Sequence, residues 1–212
     1  MKVLLTNDDG IYAPGLWALY DRFALNHDVF VVAPDRERSA VSHGITLHQP
    51  LRAHEVDLGS DRKGTAVNGT PVDSIKMALL EILPCRPDIV VSGINPGANV
   101  GLNINYSGTV SGAREASLFG VPAIAASIYT MAELDYNGAA AFIVQLAGEV
   151  AARGLPFGTF LNVNFPAVPV HAAEGVCICR QGIVKQADEM EKRVDPRNRV
   201  YYWQGITQLK YD

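Results

Sequence analysis

The chain of 212 residues is 48% hydrophobic and 19% charged, enough apolar material for one sizeable core and too much for a disordered chain. A formal net charge of -4 with no large basic block argues against non-specific binding of nucleic-acid polymers. No run reaches the ~18 apolar residues of a membrane span, no signal-peptide pattern precedes the first strand, and three sparse cysteines make no disulfide framework, so a cytoplasmic protein is expected.

The first apolar run, "KVLLT", reads as a buried strand and leads into "NDDG", where Asp8 and Asp9 stand side by side. A turn needs one Asp or Asn and a Gly, not two carboxylates. Leu16, Leu19, Tyr20 and Phe23 then recur at helical spacing behind Pro14, a residue suited to a helix start. "DVFVVAP" at 28–34 is a second strand, and "GITLHQPLRAHEV" at 44–56 an extended excursion whose Pro marks an edge or hairpin arm. In "NGTPVDSIKMALLEIL", Thr70 is placed as N-cap, Pro71 opens the helix, and Val72, Ile75, Leu79 and Ile82 form its apolar stripe.

"PDIVVSGIN" at 87–95 is another strand, "SGTVSGAREASLFG" a helix ending at Gly120, and "VPAIAASI" a further strand. Phe142, Ile143, Leu146 and Val150 mark a helix over 139–150, and "TFLNVNFP" at 159–166 a strand. Cys177 and Cys179 are expected on one face of a buried strand rather than in a metal or redox pair. From about Lys185 a charged stretch reads as an exposed loop, followed by the strand-like "VYYWQG", either a solvated edge or an oligomerisation arm. Strands alternating with helices predict an α/β fold, a doubly wound, mostly parallel sheet covered on both faces. The expected organisation is a core over 1–184, including a hairpin at about 44–66, and a C-terminal arm over 185–212.

In such sheets ligands bind beyond the carboxyl ends of the strands. The loops there carry Asn7, Asp8 and Asp9, then Ser39, then Asn95 and Asn99. All are oxygen donors, which suit Mg²⁺, Mn²⁺ or Ca²⁺. A cation between Asp8 and Asp9 would reverse their repulsion. Each residue alone also has a plainer reading as turn former, cap or surface hydroxyl. Ser107, Gly108 and Thr109 open a helix after a Gly- and Asn-rich loop, a place for phosphate or simply an N-capped start. Neither a P-loop nor a dinucleotide fingerprint is present. Metal beside a phosphate cradle points to phosphate-ester hydrolysis, in which Asp8 or Asp9 could also act as base or nucleophile. His43 is a candidate general acid or a polar loop histidine, and Arg36, Glu37 and Arg38 read as a solvated loop. A zinc deacetylase with paired aspartates would need histidines near them, and no His-x-x-His occurs.

"LLTNDDGIYAPG", "VVAPDRERSAVSHGITL", "NGTPVDS", "PDIVVSGINPGANVG" and "YSGTVSGAREA", in unbroken order, resemble the SurE family of nucleotidases, and "VNFP" and "YYW" extend the likeness to about residue 203. The resemblance implies a Rossmann-like core with an extended hairpin and a C-terminal arm used in homodimers or homotetramers. It implies one divalent cation per subunit, Mg²⁺ or Mn²⁺, held by Asp8, Asp9, Ser39 and Asn95. It places Asn99, Ser107, Gly108 and Thr109 on the phosphate side, with Asn7 beside them. The implied reaction removes phosphate from nucleoside 5′- and 3′-monophosphates; some members also act on short polyphosphate. The competing reading is a non-catalytic metal- or nucleotide-binding module.

Overall fold

The computed structural model describes residues 1–59, 61–129, 134–183 and 189–205. Seven strands form one sheet: β1 (Lys2–Thr6), β2 (Asp28–Pro34), β3 (Ala53–Asp57), β4 (Lys63–Val67), β5 (Ile89–Pro96), β6 (Ala123–Ile128) and β7 (Leu161–Phe165). Their spatial order is β3-β4-β2-β1-β5-β6-β7, and every pairing is parallel except β3 with β4. The sheet is thus doubly wound about β1, with β2 on one side and β5 on the other. The switch point, where such folds open a crevice, lies between the ends of β1 and β5.

Both faces are covered, which is why the central strands read as continuous apolar runs rather than alternating ones. Along β1, Val3 and Leu5 pack in one cluster with Leu16, Leu19 and Phe23 of α1 (Pro14–Phe23) and Ala140 and Ile143 of α4 (Tyr136–Arg153). Leu4 points the other way, into a cluster with Ile75 of α2 (Pro71–Met77) and Val110 and Ala113 of α3 (Gly108–Leu118). Each such side chain, fully removed from water, contributes about 1.5–3 kcal/mol, so the pattern Val-Leu-Leu fixes β1 from both sides.

The local signals expected for α2 are present in full: Thr70 accepts from the Asp73 N–H and Asp73 accepts from the Thr70 N–H, a reciprocal capping box before Pro71. The helix then widens into a π-helical turn over Ala78–Ile82, which no residue in that run announces. The helix start at Ser107 and its stop at Gly120 (φ +72°) also match expectation.

The hairpin expected at about 44–66 is present at the sheet edge as β3–β4, with β4 paired to β2 as well as β3, while 44–52 is irregular rather than extended. Two further expectations are corrected. The charged stretch is not a loop throughout, since β8 (Glu189–Val194) pairs antiparallel with β9 (Val200–Gly205) in a separate two-stranded sheet. Cys177 and Cys179 are exposed in an irregular segment. An apolar run becomes a strand only where a partner strand is offered, and among the described residues none pairs with 176–179. Residue 184, at the end of the expected core, and residues 185–188 and 206–212 of the expected arm lie outside the described residues.

Candidate active site

Asp8 is the best-fixed group at the switch point. It is 6% exposed, and the Thr109 hydroxyl donates to its Oδ1. Backbone N–H groups of Gly108 and Thr109, at the positive end of α3, also favour its charged form. A Cβ at position 108 would lie 2.7 Å from Asp8 Cβ and 2.9 Å from its Oδ2, so only glycine lets the helix end approach this closely. The start of α3 thus lies against the protein's own carboxylate. Burial nonetheless outweighs these donors and raises the Asp8 pKa above the ordinary carboxylate range.

Asp9 has the opposite surroundings. Its Oδ2 is buried and has no hydrogen-bond partner. Burial first, then the Asp8 charge, then the Glu37 charge, push its carboxyl up to about 7. Tyr136 stands close enough that burial and the Asp9 charge raise its phenol as well. Sequence reading assigned Glu37 to a solvated loop; its influence on Asp9 depends on how the loop after β2 folds back, which local sequence does not reveal.

That loop is tied down on both sides of Ser39. The Arg38 N–H donates to Asp8 O at 2.7 Å, and the Arg38 guanidinium donates to Asn68 O at 3.0 Å. Further on, the Ser42 hydroxyl donates to Asn105 O at 2.7 Å, and His43 Nε2 bonds Glu115 on α3 at 2.7 Å. His43 thus anchors the loop to α3, and the contact spans 72 residues with no local signal. Ser39 itself is exposed, and its hydroxyl donates to Glu37 at 2.5 Å.

Asn95 owes its place to a bulge. The β5–β6 register runs from Ser92↔Ala125 to Asn95↔Ser127, one extra residue on β5. Gly93 permits it, since a Cβ there would meet Ala126 O at 2.4 Å. The Asn95 amide nitrogen donates to Gly97 O at 2.6 Å, leaving its oxygen available to a ligand.

Asn7 and Asn99 are internally engaged. Asn7 donates to Gly10 O and accepts from the Gly10 N–H, which shapes the turn bearing Asp8 and Asp9. The Asn99 side chain donates to Ser127, and its backbone bonds Asn162 and Asn164 of β7. Ser107 caps α3 by accepting from the Val110 N–H.

Two adjacent carboxylates driven upward by burial, one with an unpartnered buried oxygen, suit a divalent cation. Among the described residues no three His, Cys, Asp or Glu side chains group as a metal site, so a cation would rest on two carboxylates and neutral oxygens. Such a donor set suits hard ions like Mg²⁺ or Mn²⁺.

A doubly wound α/β fold with acidic residues at its switch point defines a class of small-molecule-binding and catalytic proteins. Comparison with known proteins narrows it. The family described as Survival protein SurE matches residues 3–188. A relative from Desulfatibacillum aliphaticivorans, named 5′-nucleotidase SurE, is 57% identical over 210 residues, 99% of this chain and 83% of its own length. One of the same name from Geotalea uraniireducens is 50% identical over 212 residues, covering 84% of its own length. The crystal structure of the SurE protein from Aquifex aeolicus superposes with a TM-score of 0.82 at 37% identity, over 97% of this chain and 82% of that one. The chain belongs to the SurE family.

Proposed function

We propose that the protein is a divalent-metal-dependent phosphatase that hydrolyses nucleoside monophosphates to nucleoside and phosphate. The observation that carries this reading is the Asp8–Asp9 pair, one carboxylate fully engaged and its neighbour holding a free buried oxygen. The relatives' name, 5′-nucleotidase, supports the substrate class. Action on 3′-monophosphates and short polyphosphate belongs to the same proposal.

Asp8, Asp9, Ser39 and Asn95 would hold the cation, Mg²⁺ or Mn²⁺. When bound it would neutralise the carboxylates and stabilise charge developing on the phosphoryl oxygens. The Ser39 hydroxyl donates to Glu37, which leaves the lone pairs of its oxygen for a cation. Asp8 is fixed by Thr109 and by the α3 N–H groups, which suits a fixed ligand rather than a proton carrier. Asp9 has an oxygen to spare and faces the cavity beside the site, so it is the group assigned to orient the attacking water and accept its proton. Asn99, Ser107, Gly108 and Thr109, with Asn7 shaping the turn, form the phosphate side. Replacing both Asp8 and Asp9 by Asn tests the reading: AMP hydrolysis with Mn²⁺ should vanish in a folded protein, and unchanged hydrolysis would reject it.

We also propose that β8–β9 is a self-association arm of a homodimer or homotetramer. It exposes Met190, Val194, Tyr201, Tyr202 and Trp203, an aromatic and apolar surface unusual for a solvated hairpin. The 1–184 and 185–212 division follows from that role. Among the described residues no helix is long and apolar enough to cross a membrane.

A further inference from the structure

Beside the carboxylate pair lies a cavity of about 360 Å³, of which the proposed chemistry uses only the end at Asp9. Tyr12 and Tyr136 line it, together with the rings of Pro14 and Pro96. Asp9 lines it as well, so the cavity and the acidic site are continuous. Its size falls at the lower end of small-molecule sites, which run from about 300 to 1,000 Å³.

The chemistry of the lining selects the ligand. Among the described residues no Lys, Arg or His lines the cavity, so it offers no cation to a phosphate. Two phenol rings and two prolines offer flat apolar contact to a planar ring. Tyr12 is 62% exposed, and its ring pairs with no other aromatic ring among the described residues, leaving a face free for stacking. Gly15 keeps the space defined: a Cβ there would lie 2.2 Å from Ile94 O and 2.9 Å from the Tyr136 ring, so the backbone of α1 packs directly on β5 without displacing Tyr136.

A ligand that spans both regions has a phosphate ester at one end and a planar aromatic ring at the other. We infer that this cavity is the nucleobase subsite, with Tyr12 stacking on the base and Tyr136 bounding it; this rests on the nucleotidase reading above. Stacking on tyrosine is tolerant of which base is present, because every base has a π-face. The subsite therefore discriminates nucleotides from base-free phosphate esters more strongly than it discriminates one base from another.

The test compares AMP with ribose 5-phosphate, the same ester without its base. In Tyr12→Ala the ratio of kcat/KM for AMP over ribose 5-phosphate should fall about tenfold, in line with base–aromatic stacking. Most of the change should appear in KM for AMP. Tyr12→Phe, which keeps the ring, should restore the ratio. An unchanged ratio in Tyr12→Ala would overturn the subsite. A separate arm measures adenosine binding by calorimetry, with ribose as control, and needs neither cation nor turnover. Wild-type chain that binds adenosine, and Tyr12→Ala that does not, support the subsite even if no phosphate is released, in which case only the nucleotidase reading fails. Wild-type chain that ignores adenosine overturns the subsite while leaving phosphate release standing.

Discussion

The Thr109 hydroxyl donates to the Asp8 carboxylate, joining residues 101 positions apart at the ends of α3 and β1. Asp8 thereby becomes an oriented carboxylate rather than a free turn residue. Thr109→Val keeps the shape and removes the donor. Hydrogen bonds to charged groups are worth about 1.5–3 kcal/mol, so apparent Mn²⁺ affinity should fall about tenfold or more. Calorimetric titration with Mn²⁺ checks this, and unchanged affinity would mean that Asp8 needs no such support.

The second prediction concerns pH. Burial and the neighbouring Asp8 charge push the Asp9 carboxyl up to about 7 in the fold, against an ordinary value of about 4 when unfolded. Between those limits the folded state binds more protons than the unfolded one, so stability decreases as pH rises. Urea unfolding of the cation-free protein should show greater stability at pH 5 than at pH 7.5. Asp9→Asn should reduce that slope, the share due to the likewise raised Asp8 remaining, and a divalent cation should offset it at pH 7.5. A slope of opposite sign, or one unaffected by Asp9→Asn, would contradict the assignment.

The third prediction addresses the loop that carries Ser39. Glu115 is 8% exposed and bonds His43 at 2.7 Å, with Lys76 at 3.9 Å on its other oxygen. Glu115→Ala removes the anchor and leaves two polar partners unpaired. Unfolding experiments should register a loss of about 1–3 kcal/mol. Limited proteolysis should cut within residues 36–46 faster than in wild type, and Mn²⁺ affinity should weaken through Ser39.

For the hairpin, Tyr202→Asp combined with Trp203→Asp places charge on the exposed β9 surface. Sedimentation should show an oligomer for wild type and a smaller species for the double variant, with the melting transition of the core retained; a monomeric wild type would reject the arm. An unaltered oligomer would remove β8–β9 from the interface.

Much of this architecture is legible in the sequence because its signals are local. Thr70, Pro71 and Asp73 announce α2, and Gly120 closes α3, through bonds that reach only a few residues. Apolar runs such as "KVLLT" announce buried strands because both sheet faces are covered. The acidic pair is visible for the same reason: its excess charge stands in one turn. What escaped is non-local. Glu37 near Asp9 and His43 on Glu115 depend on how separate loops meet. The pairing of β8 is hidden by its charged side chains, because an exposed hairpin imposes no apolar pattern. Cys177 and Cys179 show the reverse error, a strand-like run that meets no partner among the described residues.

The most direct test of the central claim is phosphate release from AMP by the purified chain, measured untreated, with EDTA, and with Mg²⁺ or Mn²⁺ restored after EDTA. Release should be abolished by EDTA and recovered by added cation. Release that persists undiminished in EDTA would contradict the cation site at Asp8 and Asp9, and no release under any condition would leave the chain a binding module rather than an enzyme.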